Sequence, residues 1–132
     1  FSCVRLIREV IPYMKKSGGS IINTSSMVGI YASPYQAAYS SSKFAVNGLT
    51  KACAKELGQY NIRVNAVAPG VVGTDMVTKN VTEEMKQLLV NSTPLRRMAN
   101  PSDLAGIYLY LASDESSFTT GAIIQVDGGL VM

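Results

Sequence analysis

The chain has 132 residues, 47% of them hydrophobic and 16% charged. That is enough apolar material for one buried core and too much for a disordered segment. The net charge of +3, from 12 Lys and Arg against 9 Asp and Glu, is mild and scattered, and no basic stripe with interleaved aromatics marks a nucleic-acid surface.

Residues 1–16 place Cys3, Ile7, Val10 and Met14 at helical spacing, with Val4 and Ile11 beside them. Pro12 removes one backbone bond and should bend this helix. Lys15 and Lys16 suit its C-terminal end, and Ser17-Gly18-Gly19 stops it. Ser20 to Thr24, with Ile21 and Ile22, reads as a short buried strand. Residues 27–37 read as a loop containing Gly29 and Pro34. The longest helix is expected from about Ala38 to Tyr60, where Val46, Leu49, Cys53 and Leu57 form an apolar stripe. Ala38, Ala45, Ala52 and Ala54 would allow close helix contact. Ser40, Ser41, Ser42 and Gly48 are poor helix formers, so propensity and periodicity conflict there, as they often do at functional sites.

Ile62 to Ala68 reads as a second strand, closed by Pro69-Gly70. Thr82 is placed to cap a helix over 83–91, with Glu83 and Glu84 in its first turn. Asn100-Pro101 starts another helix, with Asp103 near its exposed amides and Leu104, Ile107, Tyr108 and Leu111 on its inner face. Ala122 to Val126 is a third strand, and Asp127-Gly128-Gly129 turns out of it. Asp127 is read as a turn residue, and Asn23 and Asn65 as side chains that satisfy backbone groups between loops. Helix and strand alternate throughout, which argues for an α/β fold with a parallel sheet and right-handed crossovers, the second half of a doubly wound sheet. Ligands of such sheets bind at the carboxyl ends of the strands, where Ser26, Pro69-Gly70 and the 71–76 loop fall.

No run reaches the ~18 apolar residues needed to span a membrane, and no signal peptide is visible. The two cysteines, Cys3 and Cys53, lie on apolar helix faces and fit a reducing cytoplasm better than a disulfide framework. Histidine is absent, so a His-based triad and a His-ligated zinc site are excluded and no metal site is expected. Proton chemistry must come from Tyr, Lys or carboxylates.

Tyr39-Ser40-Ser41-Ser42-Lys43 meets that need. On a helix, positions four apart stack on one face, which puts the Lys43 ammonium beside the Tyr39 phenol. A cation within a few ångström favours a phenolate and makes a proton donor able to work near neutral pH. Ser26, at the end of an apolar run, can offer its hydroxyl to the same reacting oxygen. By itself, Tyr-x-x-x-Lys is more often the mark of an amphipathic surface helix, so its neighbours carry the decision. These are Asn23-Thr24-Ser25-Ser26-Met27-Val28-Gly29 upstream, and Arg63-Val64-Asn65-Ala66-Val67-Ala68-Pro69-Gly70 followed by Val71-Val72-Gly73-Thr74-Asp75-Met76 downstream. The chain closes with Gly121-Ala122-Ile123-Ile124-Gln125-Val126-Asp127-Gly128-Gly129. In that order and spacing, the blocks resemble the C-terminal half of a short-chain dehydrogenase/reductase over nearly the whole chain, nearest in character to the 3-oxoacyl-acyl-carrier-protein reductases.

The resemblance implies a Rossmann-type fold and an NAD(P)-dependent enzyme interconverting a ketone and a secondary alcohol. It implies that Tyr39 is the general acid in reduction and the base in oxidation. Lys43 would hold the nicotinamide ribose, and Ser26 would donate to the substrate oxygen. Pro69 and Gly70 would bring the backbone close to the nicotinamide, while the Val72 backbone and the Thr74 hydroxyl would bind its carboxamide. Gln36 matches a substrate-side position, and residues 76–98 would form a mobile lid. The cofactor implied is NADP or NAD, with NADP favoured. The substrate implied is a small carbonyl or alcohol, possibly bound to an acyl carrier protein, with 3-oxoacyl thioesters ranked ahead of polyols, sugars and steroids. Helices 1–16 and 38–59 would form the contact of a homodimer or homotetramer.

Some family parts are missing. No Gly-x-x-x-Gly-x-Gly or Gly-x-Gly-x-x-Gly occurs, and the family's fourth catalytic residue, an Asn, would fall before Phe1. The pyrophosphate cradle and the residue choosing NAD over NADP would also lie upstream. The expectation is therefore one partial domain over 1–132, the catalytic half without the N-terminal cofactor-binding half, inactive when limited to these residues. The competing reading is a non-catalytic Rossmann-like fragment serving assembly.

Overall fold

A computed structural model describes residues 2–131, except for the side chains of Met76 and Thr78. Its element order is α1 (Ser2–Met14), β1 (Gly19–Thr24), α2 (Val28–Tyr31), α3 (Ala37–Leu57), β2 (Ile62–Pro69), α4 (Asp75–Asn80), α5 (Glu83–Ser92), α6 (Pro101–Ala112) and β3 (Ile123–Val126). Short 3-10 turns over Gly58–Tyr60 and Asp114–Ser116 extend α3 and α6. The three strands form one parallel sheet in the order β1-β2-β3.

Strand β2 is the centre of the sheet, paired on both edges and largely buried. Ile62, Val64, Ala66, Val67 and Ala68 are fully buried, the pattern of a parallel strand covered on both sides. Alternation of side chains divides the contacts. On one face, Ile62 and Val64 join Ile7 of α1 and Cys53, Ala54 and Leu57 of α3 in a core completed by Ile11, Met14, Ile21, Leu49 and Tyr60. On the other face, Ser20 and Arg63 meet α6. Ser20 Oγ donates to the Leu111 carbonyl at 2.7 Å, and the Arg63 guanidinium donates to the Leu111 and Ser113 carbonyls and to Ser116 Oγ. A cation at these carbonyls also suits the negative end of the helix.

Several expectations meet their physical causes here. Thr82 Oγ1 accepts from Met85 N at 3.2 Å, capping α5. Gly18, at φ 70°, supplies the left-handed turn between α1 and β1. Asp127 is a turn residue, its carboxylate accepting from Gly129 N at 3.0 Å and Val131 N at 3.1 Å. Asn65 spans two backbone groups, donating to Thr119 O and accepting from Ala122 N.

Other expectations need correction. Segment 27–37 is not all loop: Gly29, Ile30 and Tyr31 amides bond back to Ser26 and Met27 carbonyls and close α2. The 71–76 loop runs into α4, which begins at Asp75. Asn23 bonds a side chain rather than backbone, donating from Nδ2 to Thr50 Oγ1 at 2.9 Å. The first helix stops at Met14, and the long one starts at Ala37 and gives way to a 3-10 turn after Leu57.

Candidate active site

The carboxyl end of β1 is the meeting point of the sequence-predicted residues. Lys43 projects from α3, and its Nζ donates to the Thr24 carbonyl at 3.0 Å. The same ammonium stands 5.6 Å from the centroid of the Tyr39 ring, as the four-residue spacing dictates. Tyr39 is 47% exposed, so its ring borders solvent. Ser26 follows Thr24 by two residues in the turn leaving β1, and its Oγ accepts from Val28 N at 3.3 Å.

Backbone bonds tie that turn to the neighbouring strand. Ser25 N donates to Val67 O at 2.7 Å, and Met27 N donates to Pro69 O at 2.9 Å. The Ser26 turn and Pro69 are therefore held side by side across the ends of β1 and β2. Gly70 continues the chain against β3, with its N donating to Val126 O at 3.0 Å. A Cβ at Gly70 would fall 2.7 Å from Asp127 Cα. Close approach to β3 thus already requires glycine here.

Val72 and Thr74 lie farther along. Val72 pairs with Ala99 in an isolated parallel bridge, and its carbonyl accepts from Thr74 N at 2.8 Å. Thr74 then leads into α4 with its carbonyl bonded to Val77 N. Gln36 is exposed at the start of α3, its carbonyl accepting from Ser40 N. The structure thus joins Ser26, Lys43, Tyr39 and Pro69 through direct or one-residue links, while the contacts of Val72, Thr74 and Gln36 are with other neighbours.

A cavity of about 200 Å3 lies elsewhere, at the ends of β2 and β3, where Val71, Val126 and Asp127 face Thr93, Leu95 and Arg97. On its wall Arg97 forms a two-point pair with Asp103, at 2.6 and 3.1 Å. The Arg97 hydrogen bonds, then the Asn100 amide at 2.7 Å, hold the Asp103 carboxyl below the usual carboxylate range, and Asp103 in turn raises Arg97. Burial, reinforced by Glu56, pushes the Cys53 thiol up.

Sequence reasoning passed over Gly29, Ser40 and Asn47, which join α3 to the Ser26 turn. The usable signal was their placement: Ser40, Lys43 and Asn47 repeat at three and four residues on one helix face. Among the described residues no three His, Cys, Asp or Glu side chains cluster as metal ligands. None of the described helices is long and apolar enough to cross a membrane.

A family model described as enoyl-(acyl carrier protein) reductase matches residues 1–131. The 3-oxoacyl-(acyl-carrier-protein) reductase FabG of Thermotoga maritima is 51% identical over 124 residues, covering 93% of this chain and 50% of that protein. A 3alpha-hydroxysteroid dehydrogenase of Mediterraneibacter gnavus is 49% identical over 128 residues, covering 97% of this chain and 50% of that one. The crystal structure of a 3-oxoacyl-(acyl-carrier protein) reductase with bound NAD from Brucella melitensis superposes with a TM-score of 0.89 at 41% identity, covering 98% of this chain and 48% of the other. The chain spans about half the length of the curated relatives it matches. With its parallel sheet, its order of motifs and these relatives, the chain belongs to the short-chain dehydrogenase/reductase family.

Proposed function

We propose that this chain is the catalytic half of an NAD(P)-dependent oxidoreductase that interconverts a ketone and a secondary alcohol, with 3-oxoacyl thioesters as its substrates. The observation that carries this reading is the Lys43 ammonium, held between the Tyr39 ring and the Thr24 carbonyl at the end of β1.

In reduction, the Tyr39 phenol gives its proton to the substrate oxygen, and in oxidation the phenolate takes it back. The Ser26 hydroxyl donates to the same oxygen and stabilises the negative charge that grows there. The donor set fits a nicotinamide nucleoside: an ammonium and a phenol for ribose hydroxyls, and backbone and hydroxyl groups at Val72 and Thr74 for a carboxamide. Pro69 and Gly70 would bring backbone close to the nicotinamide. When bound, an NADP or NAD cofactor supplies or accepts the hydride.

Residues 76–98 form the lid that selects the substrate, whether free or carried on an acyl carrier protein, and Gln36 stands on the substrate side. The exposed Val4, Leu6 and Val10 of α1 and Phe44 of α3 support a homodimer or homotetramer formed through these two helices. The free Cys3 and Cys53 suit a reducing cytoplasm. The 49% identity to a hydroxysteroid dehydrogenase favours a 3-oxosteroid as the second substrate class. Absorbance at 340 nm, followed with the full chain, NADPH or NADH, and a short 3-oxoacyl thioester or a 3-oxosteroid, decides between them. Faster turnover of the thioester supports the first reading, turnover of the steroid alone supports the second, and oxidation of neither cofactor with any carbonyl overturns both.

A further inference from the structure

Three contacts join one face of α3 to the segment that follows β1. Ser40 Oγ accepts from Ser33 N at 3.3 Å, the Lys43 carbonyl receives the Ser25 hydroxyl at 3.5 Å, and Asn47 Nδ2 donates to the Gly29 carbonyl at 2.8 Å. Ser25, Gly29, Ser40 and Asn47 are all buried. The two backbones are as close as packing permits, because a Cβ on Gly29 would fall 2.9 Å from Lys43 C, Lys43 Cβ and Ser25 Oγ.

Asn47 is costly in this position. It is 9% exposed, and its Oδ1 accepts no hydrogen bond among the described residues. An unpartnered buried acceptor is destabilising, and an apolar side chain of similar shape would avoid that cost. The amide is explained by what its other end holds. Gly29 N bonds Ser26 O at 3.0 Å, while Ile30 N and Tyr31 N bond Met27 O at 2.9 and 3.3 Å. A grip on the Gly29 carbonyl is thus a grip on the turn that carries Ser26.

We propose that Asn47 is a positioning residue: through Gly29 it fixes the Ser26 turn against α3, and so sets the Ser26 hydroxyl relative to Tyr39 and Lys43. The inference rests on the roles proposed above for those three residues.

The test uses the full chain carrying Asn47→Leu or Asn47→Asp, with two readouts: steady-state turnover, and hydrogen exchange at the Gly29, Ile30 and Tyr31 amides. For Asn47→Leu, kcat falls roughly tenfold to a hundredfold, the loss expected from misplacing a reacting group by about an ångström. KM stays nearly constant, Tm does not fall, and exchange at the three amides accelerates. Asn47→Asp donates to the Gly29 carbonyl only when protonated, so its kcat relative to the parent recovers as pH is lowered. Unchanged kcat in Asn47→Leu overturns the proposal, and so does a kcat loss that merely follows the folded fraction. If Asn47→Leu does not fold, Asn47→Asp decides: recovery at low pH supports the clasp, and a pH-independent ratio overturns it. If the parent turns over no carbonyl, the functional reading fails by itself and exchange at residues 29–31 judges the clasp alone: faster in the variants supports it, unchanged refutes it.

Discussion

Gly70→Ala is expected to damage the site by pressing two strand ends apart. The added Cβ would come within 2.7 Å of Asp127 Cα, 2.8 Å of Asp127 Cβ and 3.2 Å of Asp127 O. The obstacle is mostly backbone, and both sides are anchored. Gly70 N is bonded to Val126 O, and the Asp127 carboxylate holds Gly129 and Val131 amides. Relief therefore requires the backbone to shift, and overpacking of this kind costs about 1–3 kcal/mol. At ~4 °C per kcal/mol for a chain of 132 residues, Tm falls by about 4–12 °C. Gly48 and Gly106 provide the control, since nothing lies within 4 Å of a Cβ added at either. Both are inside helices, where alanine is better than glycine by about 1 kcal/mol, so Tm rises by ~4 °C for each. Scanning calorimetry of the three variants of the full chain, in one buffer, measures the contrast. A Gly70→Ala variant as stable as the parent would refute the steric reasoning, as would three shifts of the same sign.

Asp103→Asn should lower Tm near neutral pH, because the parent carboxylate is held below its ordinary range by Arg97 and the Asn100 amide. A group with a depressed folded value contributes fully above its unfolded value of ~3.9 and loses that contribution as pH falls through the folded one. The gap in Tm between parent and variant therefore stays level from neutral pH down to about 5 and closes on further acidification; a gap that widens in acid would contradict the pairing. Arg63→Met removes three hydrogen bonds at the end of α6 and should lower unfolding stability by ~2–3 kcal/mol in denaturant titrations while kcat of the folded enzyme holds. A midpoint equal to the parent's would show that the guanidinium is only surface decoration.

The order of elements was legible because β2 is mostly apolar, α3 carries a long stripe, and Thr82 and Asn100-Pro101 announce their helices. The pair Tyr39 and Lys43 was legible for the same reason: a four-residue spacing on a helix leaves little freedom. What the sequence hid depends on neighbours distant along the chain. Helix α2 has one turn and no stripe of its own, and it persists because Gly29 packs against Lys43 and bonds Asn47. The serines at 40–42 look like helix breakers until Ser40 is seen to be buried and bonded to Ser33 N, and Ser42 Oγ to donate to the Tyr39 carbonyl. The contact of Gly70 with Asp127, 57 residues further on, which leaves no space for a Cβ, is likewise invisible locally. Each of these is a tertiary constraint with no local signature.

Replacing Tyr39 by Phe in the full chain, with 340 nm turnover and nucleotide binding measured together, is the most direct test of the proposed chemistry. Removing the phenolic oxygen should lower kcat roughly a hundredfold to ten-thousandfold, the range for loss of a general acid, while leaving Tm close to the parent's and weakening nucleotide binding by no more than about tenfold, the loss of one hydrogen bond to the ribose. A variant that folds, binds nucleotide and reduces carbonyls at the parent rate would show that proton transfer does not pass through Tyr39.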